Sequence, residues 1–280
     1  MNILFYLAAG NGDLINFTGV LNVLKATHPH HKFDMLIPRK HFYIMENHPA
    51  INKLIALDDF PSIPQHCTLK NHDEMVCRYF RKSYDHILNC WGCKINDNNN
   101  GDYARVMLRL MSQYGFYLPV PRIDINPMFY YTYKDYEIVY AFAQKNILPN
   151  KRYVLVEEQS DGFKTPQSDH VNVIRETLKS KGYMVTGNLT DNDICVKSLN
   201  LKHIKLFFEQ YCCGFLGLSS GMTCAIYAEP TYFHNKKVVI SGLYPGWDVG
   251  ANMKGRNSYF YFPNIYTTRD IDILFDKVED

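Results

Sequence analysis

Two short turns hold most of the residues whose types and spacing suit chemistry on a ligand. The first, Gly10-Asn11-Gly12-Asp13, follows an apolar run and puts a carboxylate at or beside the start of a helix. A helix N-terminus favours the ionised carboxylate, and two glycines let a ligand approach the backbone. Asp13 is therefore a candidate general base, and capping the same helix is a compatible role. The second turn, Gly217-Leu218-Ser219-Ser220-Gly221-Met222-Thr223, leads from an apolar strand into a helix. Small residues there expose backbone N–H groups and hydroxyls that suit a phosphate or diphosphate, and an ordinary strand-to-helix turn with a serine cap is the other reading. Lys164, in Gly162-Phe163-Lys164-Thr165-Pro166, falls on a neighbouring turn of the same sheet, where it either neutralises a diphosphate or lies solvated.

The elements around these turns alternate. Asn2 to Leu7 is a continuous apolar run ending in the glycine turn, as a buried parallel strand would be. From Asp13 the positions Leu14, Phe17, Leu21 and Leu24 recur at helical spacing until Thr27-His28-Pro29 stops them. A strand at Phe33 to Ile37, a short helix at His41 to Glu46 and a strand at Leu54 to Leu57 complete a β-α-β-α-β rhythm. The stretch Asp58 to Asp85 is polar and less periodic, and it precedes a strand at Asp85 to Cys90. An Asn-rich loop follows, with Asp102 as N-cap of a further helix. After the Pro-marked passage Pro119 to Pro127 and an aromatic helix from Lys134 to Lys145, the pattern restarts. Strands are expected at Tyr153 to Val156, Tyr183 to Val185, Ile194 to Val196, Phe215 to Leu218, Val238 to Ile240 and Tyr259 to Phe262. Helices are expected at Val171 to Lys179, Leu201 to Tyr211, Thr223 to Ala228 and after Thr267.

At roughly 150 residues per domain, 280 residues make about two domains. The expected class is α/β, with two Rossmann-like doubly wound domains facing a cleft, 1–125 and 126–280, the terminal helix reaching back to the first. Open parallel sheets bind ligands at the carboxyl ends of their strands, which is where both turns fall. A composition of 46% hydrophobic and 21% charged residues excludes disorder and coiled coil. A net charge of +2 gives no reason to expect nucleic acid as a partner. Apolar runs such as Ile3 to Ala9 are far short of a membrane span, no basic lead-in precedes them, and the eight cysteines are scattered, so a cytoplasmic protein with reduced thiols is expected.

Weaker motifs give less. Gly10-x-Gly12 lacks the third glycine of a dinucleotide fingerprint until Gly19, so an NAD-dependent oxidoreductase is disfavoured. Cys90-Trp91-Gly92-Cys93 has the spacing of a redox or zinc pair but no second pair to complete a metal site, and no metal is expected. His28-Pro29-His30-His31 is read as a solvated connection, and Phe129-Tyr130-Tyr131-Tyr133-Tyr136 as packing for the interdomain helix. Arg39, Lys40, Arg78, Arg81 and Lys82 are read as solvated charges, with an anionic acceptor or a membrane surface as the alternative.

Taken in order, these segments resemble glycosyltransferase family 9, the heptosyltransferase-like enzymes of GT-B fold. The similar stretches are Gly12-Asp13-Leu14-Ile15, Phe33-Asp34-Met35-Leu36-Ile37, Asn47-His48-Pro49, Lys53-Leu54-Ile55 and Tyr84-Asp85-His86-Ile87-Leu88 in the first half. In the second half they are Phe215 to Met222, Val238 to Gly242 and Lys164. The chain departs from the family in having Cys224 where a histidine usually stands, Ser219 where aspartate is common, and a shorter first half, which leaves the donor sugar and base open. The resemblance implies an inverting, metal-independent transfer of a sugar, heptose or another, from a nucleoside diphosphate sugar to a hydroxyl of a glycolipid or surface polysaccharide precursor, with no cofactor. It gives Asp13 the role of base, with Gly10, Asn11 and Gly12 as its loop. Lys164, Ser219, Ser220, Gly221, Met222 and Thr223 would hold the nucleotide sugar. It also implies peripheral contact with the inner face of a membrane. Two other readings are a non-catalytic nucleotide or glycan-binding module, and a GT-B-like nucleotide-sugar epimerase, which would need paired acid and base groups.

Overall fold

A computed structural model describes residues 1–6, 10–63, 72–89, 127–157, 168–188, 193–218, 220–229, 236–241, 259–262 and 267–278. Lys164, Ser219, the Cys90 to Cys93 pair, the Asn-rich loop and the helix expected after Asp102 lie outside them. The chain divides into two compact units, Met1–Tyr130 and Tyr131–Asp280.

In the first unit, strands β1 (Asn2–Tyr6), β2 (Lys32–Ile37), β3 (Ile51–Ala56) and β4 (His86–Asn89) form a wholly parallel sheet in the order β3-β2-β1-β4. Three helices accompany it: α1 (Asn11–Thr27), α2 (Phe42–Met45) and α3 (His72–Phe80). Strand β1 is apolar on both faces because both are covered. Phe5 meets Phe17 of α1 edge-on at 5.3 Å and lies 5.6 Å from Phe33, while Leu4 and Tyr6 join Leu36, Leu57, Val76 and Phe80 in a separate core. Helix α3 occupies part of the stretch expected to be irregular. Val76 and Phe80, four residues apart, bury its inner side under a polar exterior.

His48 ties α1 to the loop after α2. Its Nδ1 accepts the Ala50 N–H at 3.2 Å, so Nε2 bears the proton and donates to the Thr18 carbonyl at 3.0 Å. Segment 127–130 closes on the same helix, with the Met128 N–H donating to Thr18 Oγ1 at 2.8 Å and the Tyr130 hydroxyl to Asn22 at 2.7 Å. Resemblance had singled out Asn47-His48-Pro49, and the structure makes His48 a brace of α1.

The second unit contains β5 (Arg152–Val156), β6 (Tyr183–Gly187), β7 (Ile194–Cys195), β8 (Cys212–Leu218), β9 (Lys237–Ser241) and β10 (Tyr259–Phe262). They form one parallel sheet in the order β10-β9-β8-β5-β6-β7. Counted from β5, that is 3-2-1-4-5-6, the doubly wound order of dinucleotide-binding folds, and the first unit repeats its 3-2-1-4 part. The α/β class and the parallel sheet of each unit are as expected.

Alternate residues of β5 feed two cores. Tyr153 and Leu155 pack with α4 (Tyr133–Asn146), α6 (Leu201–Tyr211) and α7 (Gly221–Tyr227). Val154 and Val156 pack with α5 (Ser168–Ser180) and α8 (Thr268–Leu274). The terminal helix packs on the second unit's core. Phe275 meets Tyr183 edge-on at 5.6 Å, Lys181 pairs with Asp272 at 3.1 Å, and the Val278 N–H donates to Lys181 O at 2.8 Å.

Buried ion pairs connect the helices on the α6 side. Asp135, in the first turn of α4, receives Lys202 Nζ and His203 Nε2, each at 2.9 Å. Burial alone would raise its carboxyl, but hydrogen bonds from Lys202, the Thr132 backbone and His203 win and hold it at about 2. Lys205 pairs with Glu209 at 2.7 Å and also donates to the Ile226 carbonyl at 2.7 Å, which holds α7 to α6.

Candidate functional site

Each unit puts its candidate turn at the carboxyl end of a central strand, where the strand order reverses. In the first unit β1 leads to α1, with β2 on one side of it and β4 on the other. Helix α1 begins at Asn11, earlier than expected, and Gly10 is its cap residue with extended backbone, φ −72°. Asp13 is therefore the third helical residue, and its Oδ2 accepts the Gly10 N–H at 3.2 Å. The carboxylate points back over the start of the helix and is partly exposed. Asn11 Oδ1 accepts the Tyr43 hydroxyl at 3.3 Å, and Asn16 Nδ2 donates to the Gly12 carbonyl at 2.9 Å. A Cβ on Gly10 would sit 3.8 Å from Asp13 Oδ2, an ordinary contact, so no close packing demands glycine there.

In the second unit β5 and β8 are neighbours, and both end at the reversal point. Ser220 caps α7, its Oγ accepting the N–H groups of Met222 at 3.1 Å and Thr223 at 3.4 Å. Thr223 folds back so that its hydroxyl donates to the Leu218 carbonyl. That fold needs glycine at 217, where a Cβ would lie 2.8 Å from Thr223 Oγ1 and closer still to the Phe215 ring. The N–H groups of Met222 and Thr223, expected to face a diphosphate, are thus taken up by the Ser220 cap. Gly221 lies on the same turn, partly exposed, and Cys224 behind it is buried.

One residue of this turn was missed by sequence reasoning. Glu157 directly follows β5, is 3% exposed, and accepts the Leu218 N–H at 3.1 Å through Oε2 and the Ser220 hydroxyl through Oε1. Burial pushes its carboxyl up to about 7, against the pull of its hydrogen bonds with Ser220, Leu218 and Thr223. The signal available in the sequence was its place, a carboxylate immediately after Tyr153-Val154-Leu155-Val156.

Other candidates are dispersed. Arg39 pairs with Asp59 at 2.7 Å and Arg78 with Glu74 at 3.5 Å, which compensates two charges of the basic patch. The His28 and His31 rings stack at 5.1 Å, and among the described residues no three His, Cys, Asp or Glu side chains gather as a metal ion would require. Of the aromatic cluster Phe129 is buried, while Tyr133 on α4 is 80% exposed rather than packed. Among the described residues no helix is long and apolar enough to cross a membrane.

No protein-family profile and no curated protein matches the sequence. Solved structures do match the fold. ADP-heptose lipopolysaccharide heptosyltransferase II of Escherichia coli superposes with a TM-score of 0.65 at 11% identity, covering 97% of this chain and 96% of that one. A glycosyl transferase of family 9 from Veillonella parvula gives 0.62 at 13% identity, over 97% and 87%. The E. coli heptosyltransferase WaaC with ADP gives 0.58 at 10% identity, over 98% and 96%. At such identities the likeness speaks for the fold: this chain has the heptosyltransferase-like GT-B fold along nearly its whole length.

Proposed function

We propose that this protein is a glycosyltransferase that moves a sugar from a nucleoside diphosphate sugar to a hydroxyl of a glycolipid or surface polysaccharide precursor. The observation that carries the reading is the placement of Asp13 and of the Ser220 turn. Each lies at the carboxyl-edge reversal point of its own 3-2-1-4 sheet, in a chain with the fold of three solved glycosyltransferases. That WaaC was solved with ADP and with ADP-2-deoxy-2-fluoro heptose supports a nucleotide sugar as the donor.

In this reading Asp13 takes the proton of the acceptor hydroxyl as its oxygen attacks the anomeric carbon from the face opposite the leaving group, so the centre inverts. The bond from that carbon to the diphosphate breaks, and the nucleoside diphosphate leaves with the electron pair. Lys164 and the positive end of α7, whose Met222 and Thr223 N–H groups are held by Ser220 while the site is empty, stabilise the departing charge, which lets the step proceed without a metal or other cofactor. Ser219 completes the turn. The reaction belongs to the cytoplasm, in peripheral contact with the inner face of the membrane where a lipid-linked acceptor is presented.

Thermal shift against ADP-, GDP-, UDP-, CDP- and TDP-linked sugars and NAD tests the donor. A ligand at a hundred times its dissociation constant stabilises by about 2.7 kcal/mol, an easily read shift. Response to one nucleoside diphosphate sugar is expected. Response to NAD alone, or to nothing, would overturn the reading. Asp13→Asn separates a transferase, which loses turnover and keeps donor affinity, from a binding module, in which the substitution changes nothing.

A further inference from the structure

Glu157 is buried under the turn between β8 and α7, and a relay of hydrogen bonds leaves it. Its carboxyl accepts the Leu218 N–H at 3.1 Å and the Ser220 hydroxyl, and Ser220 Oγ accepts the N–H groups of Met222 and Thr223 in the first turn of α7. Its own N–H donates to the Leu216 carbonyl at 2.8 Å. The groups around it on β8 and α7 are those of Leu216, Leu218, Ser220 and Thr223, and on β6 the residue paired with the preceding Val156 is Gly187. None of them is charged or titrates in this range. An ionised Glu157 therefore puts a negative charge, with no described cation beside it, directly behind the turn assigned to the donor diphosphate.

We propose that Glu157 is the positioning residue of the nucleotide-sugar site and that it takes up a proton when the diphosphate binds. The inference rests on the functional reading above and names a control of the same site. In the ionised state the two carboxylate oxygens hold Leu218 and Ser220 and fix the turn for an empty site. On protonation one oxygen keeps the Leu218 N–H, and the new O–H donates to Ser220 Oγ. Ser220 Oγ accepts only two hydrogens, so it gives up the long 3.4 Å bond from the Thr223 N–H, and that N–H is freed for a phosphate oxygen. The proton comes from solvent, and no covalent bond changes. Diphosphate and proton thus favour each other, because the neutral carboxyl removes a repulsion and frees a donor at the same time. Burial, which brings the carboxyl to about 7, leaves both forms accessible near neutral pH.

The test is calorimetric titration of the full chain with whichever nucleotide sugar of the ADP-, GDP-, UDP-, CDP- and TDP-linked panel binds, at pH 6, 7 and 8 in buffers of different ionisation enthalpy. The diphosphate diester of these ligands keeps its charge over that range. In the wild type, net proton uptake near pH 7 and a dissociation constant about tenfold weaker at pH 8 than at pH 6 are expected. Glu157→Gln, checked for folding by circular dichroism, should show no uptake and a flat profile. Ser220→Ala added to it should cost little more, because both substitutions cut one relay. A wild type that binds with no uptake and a flat profile, or a Glu157→Gln variant that keeps the wild-type profile, overturns the inference and leaves the functional reading standing. No binding of any of these sugars at any pH overturns both. The wild-type titration decides by itself if the variants do not fold.

Discussion

Asp13 makes a bond to the start of its own helix that an amide can also make. Oδ2 accepts the Gly10 N–H, and asparagine offers the same acceptor but cannot take a proton from an acceptor hydroxyl. Asp13→Asn is therefore expected to lower kcat by roughly 10²- to 10⁴-fold, the usual worth of a general base, with donor affinity and melting temperature nearly unchanged. Steady-state kinetics beside donor titration reads the split, and turnover within a few-fold of wild type would remove Asp13 from the mechanism. His48 shows the opposite pattern, both ring nitrogens being spent inside the fold. His48→Ala should cost on the order of 2–4 kcal/mol by urea unfolding, from the cavity and two orphaned backbone groups, while leaving the donor site of the second unit intact. The two residues differ in how far sequence could read them. The place of Asp13 in the first turn of α1 was legible because a carboxylate after a glycine turn is a common way to start a helix. Glu157 was not, since nothing in a one-dimensional pattern says that the carboxylate after a strand turns inward to a serine 63 positions later.

Elements were legible where a single period ruled. Helix α6 and strand β10 match their expected bounds, and α1 and β5 differ by one or two residues at one end. Helix α3 was not, because charged residues interrupt a run whose apolar positions are only Met75, Val76, Tyr79 and Phe80. Strand β8 was expected to start at Phe215 and starts at Cys212, since Gly214 interrupts the strand signal and pairing with β5 and β9 carries the strand through it. The link between α6 and α7 was invisible for a different reason. Lys205 is wholly buried, a position no composition rule gives to lysine. It bridges Glu209 on its own helix to the last turn of α7, and burial draws its ammonium down to about 8 although Glu209 pulls it up. Lys205→Met should remove the ammonium beside a carboxylate that is 5% exposed and cost about 3–5 kcal/mol. Glu209→Leu added to it should recover part of that loss. Urea unfolding of the single and double variants reads both, and a neutral single variant would show that the pair does not hold α7.

The whole molecule combines two units that acid should treat in opposite ways. In the first unit His48 and His41 are held neutral in the fold, each drawn by burial from 6.5 to about 4. Between those values the unfolded chain binds protons that the folded unit refuses, so stability drops as pH falls from 6.5 toward 4. His48 alone contributes a loss of about 3 kcal/mol by pH 4.5. In the second unit Glu157 is shifted the other way, from 4.5 up to about 7. There the folded unit binds the proton first, and stability increases as pH falls from 7 to 4.5. Asp135, held at about 2, has its effect only in stronger acid. Each unit owns its core, so two calorimetric transitions are expected. From pH 7 to pH 4.5 one should fall by roughly 10 °C while the other rises. Glu157→Gln should flatten only the rising transition, and His48→Gln should flatten much of the falling one, which assigns each to its unit. A pair of transitions that move together with pH would mean that these buried groups do not govern the units that contain them.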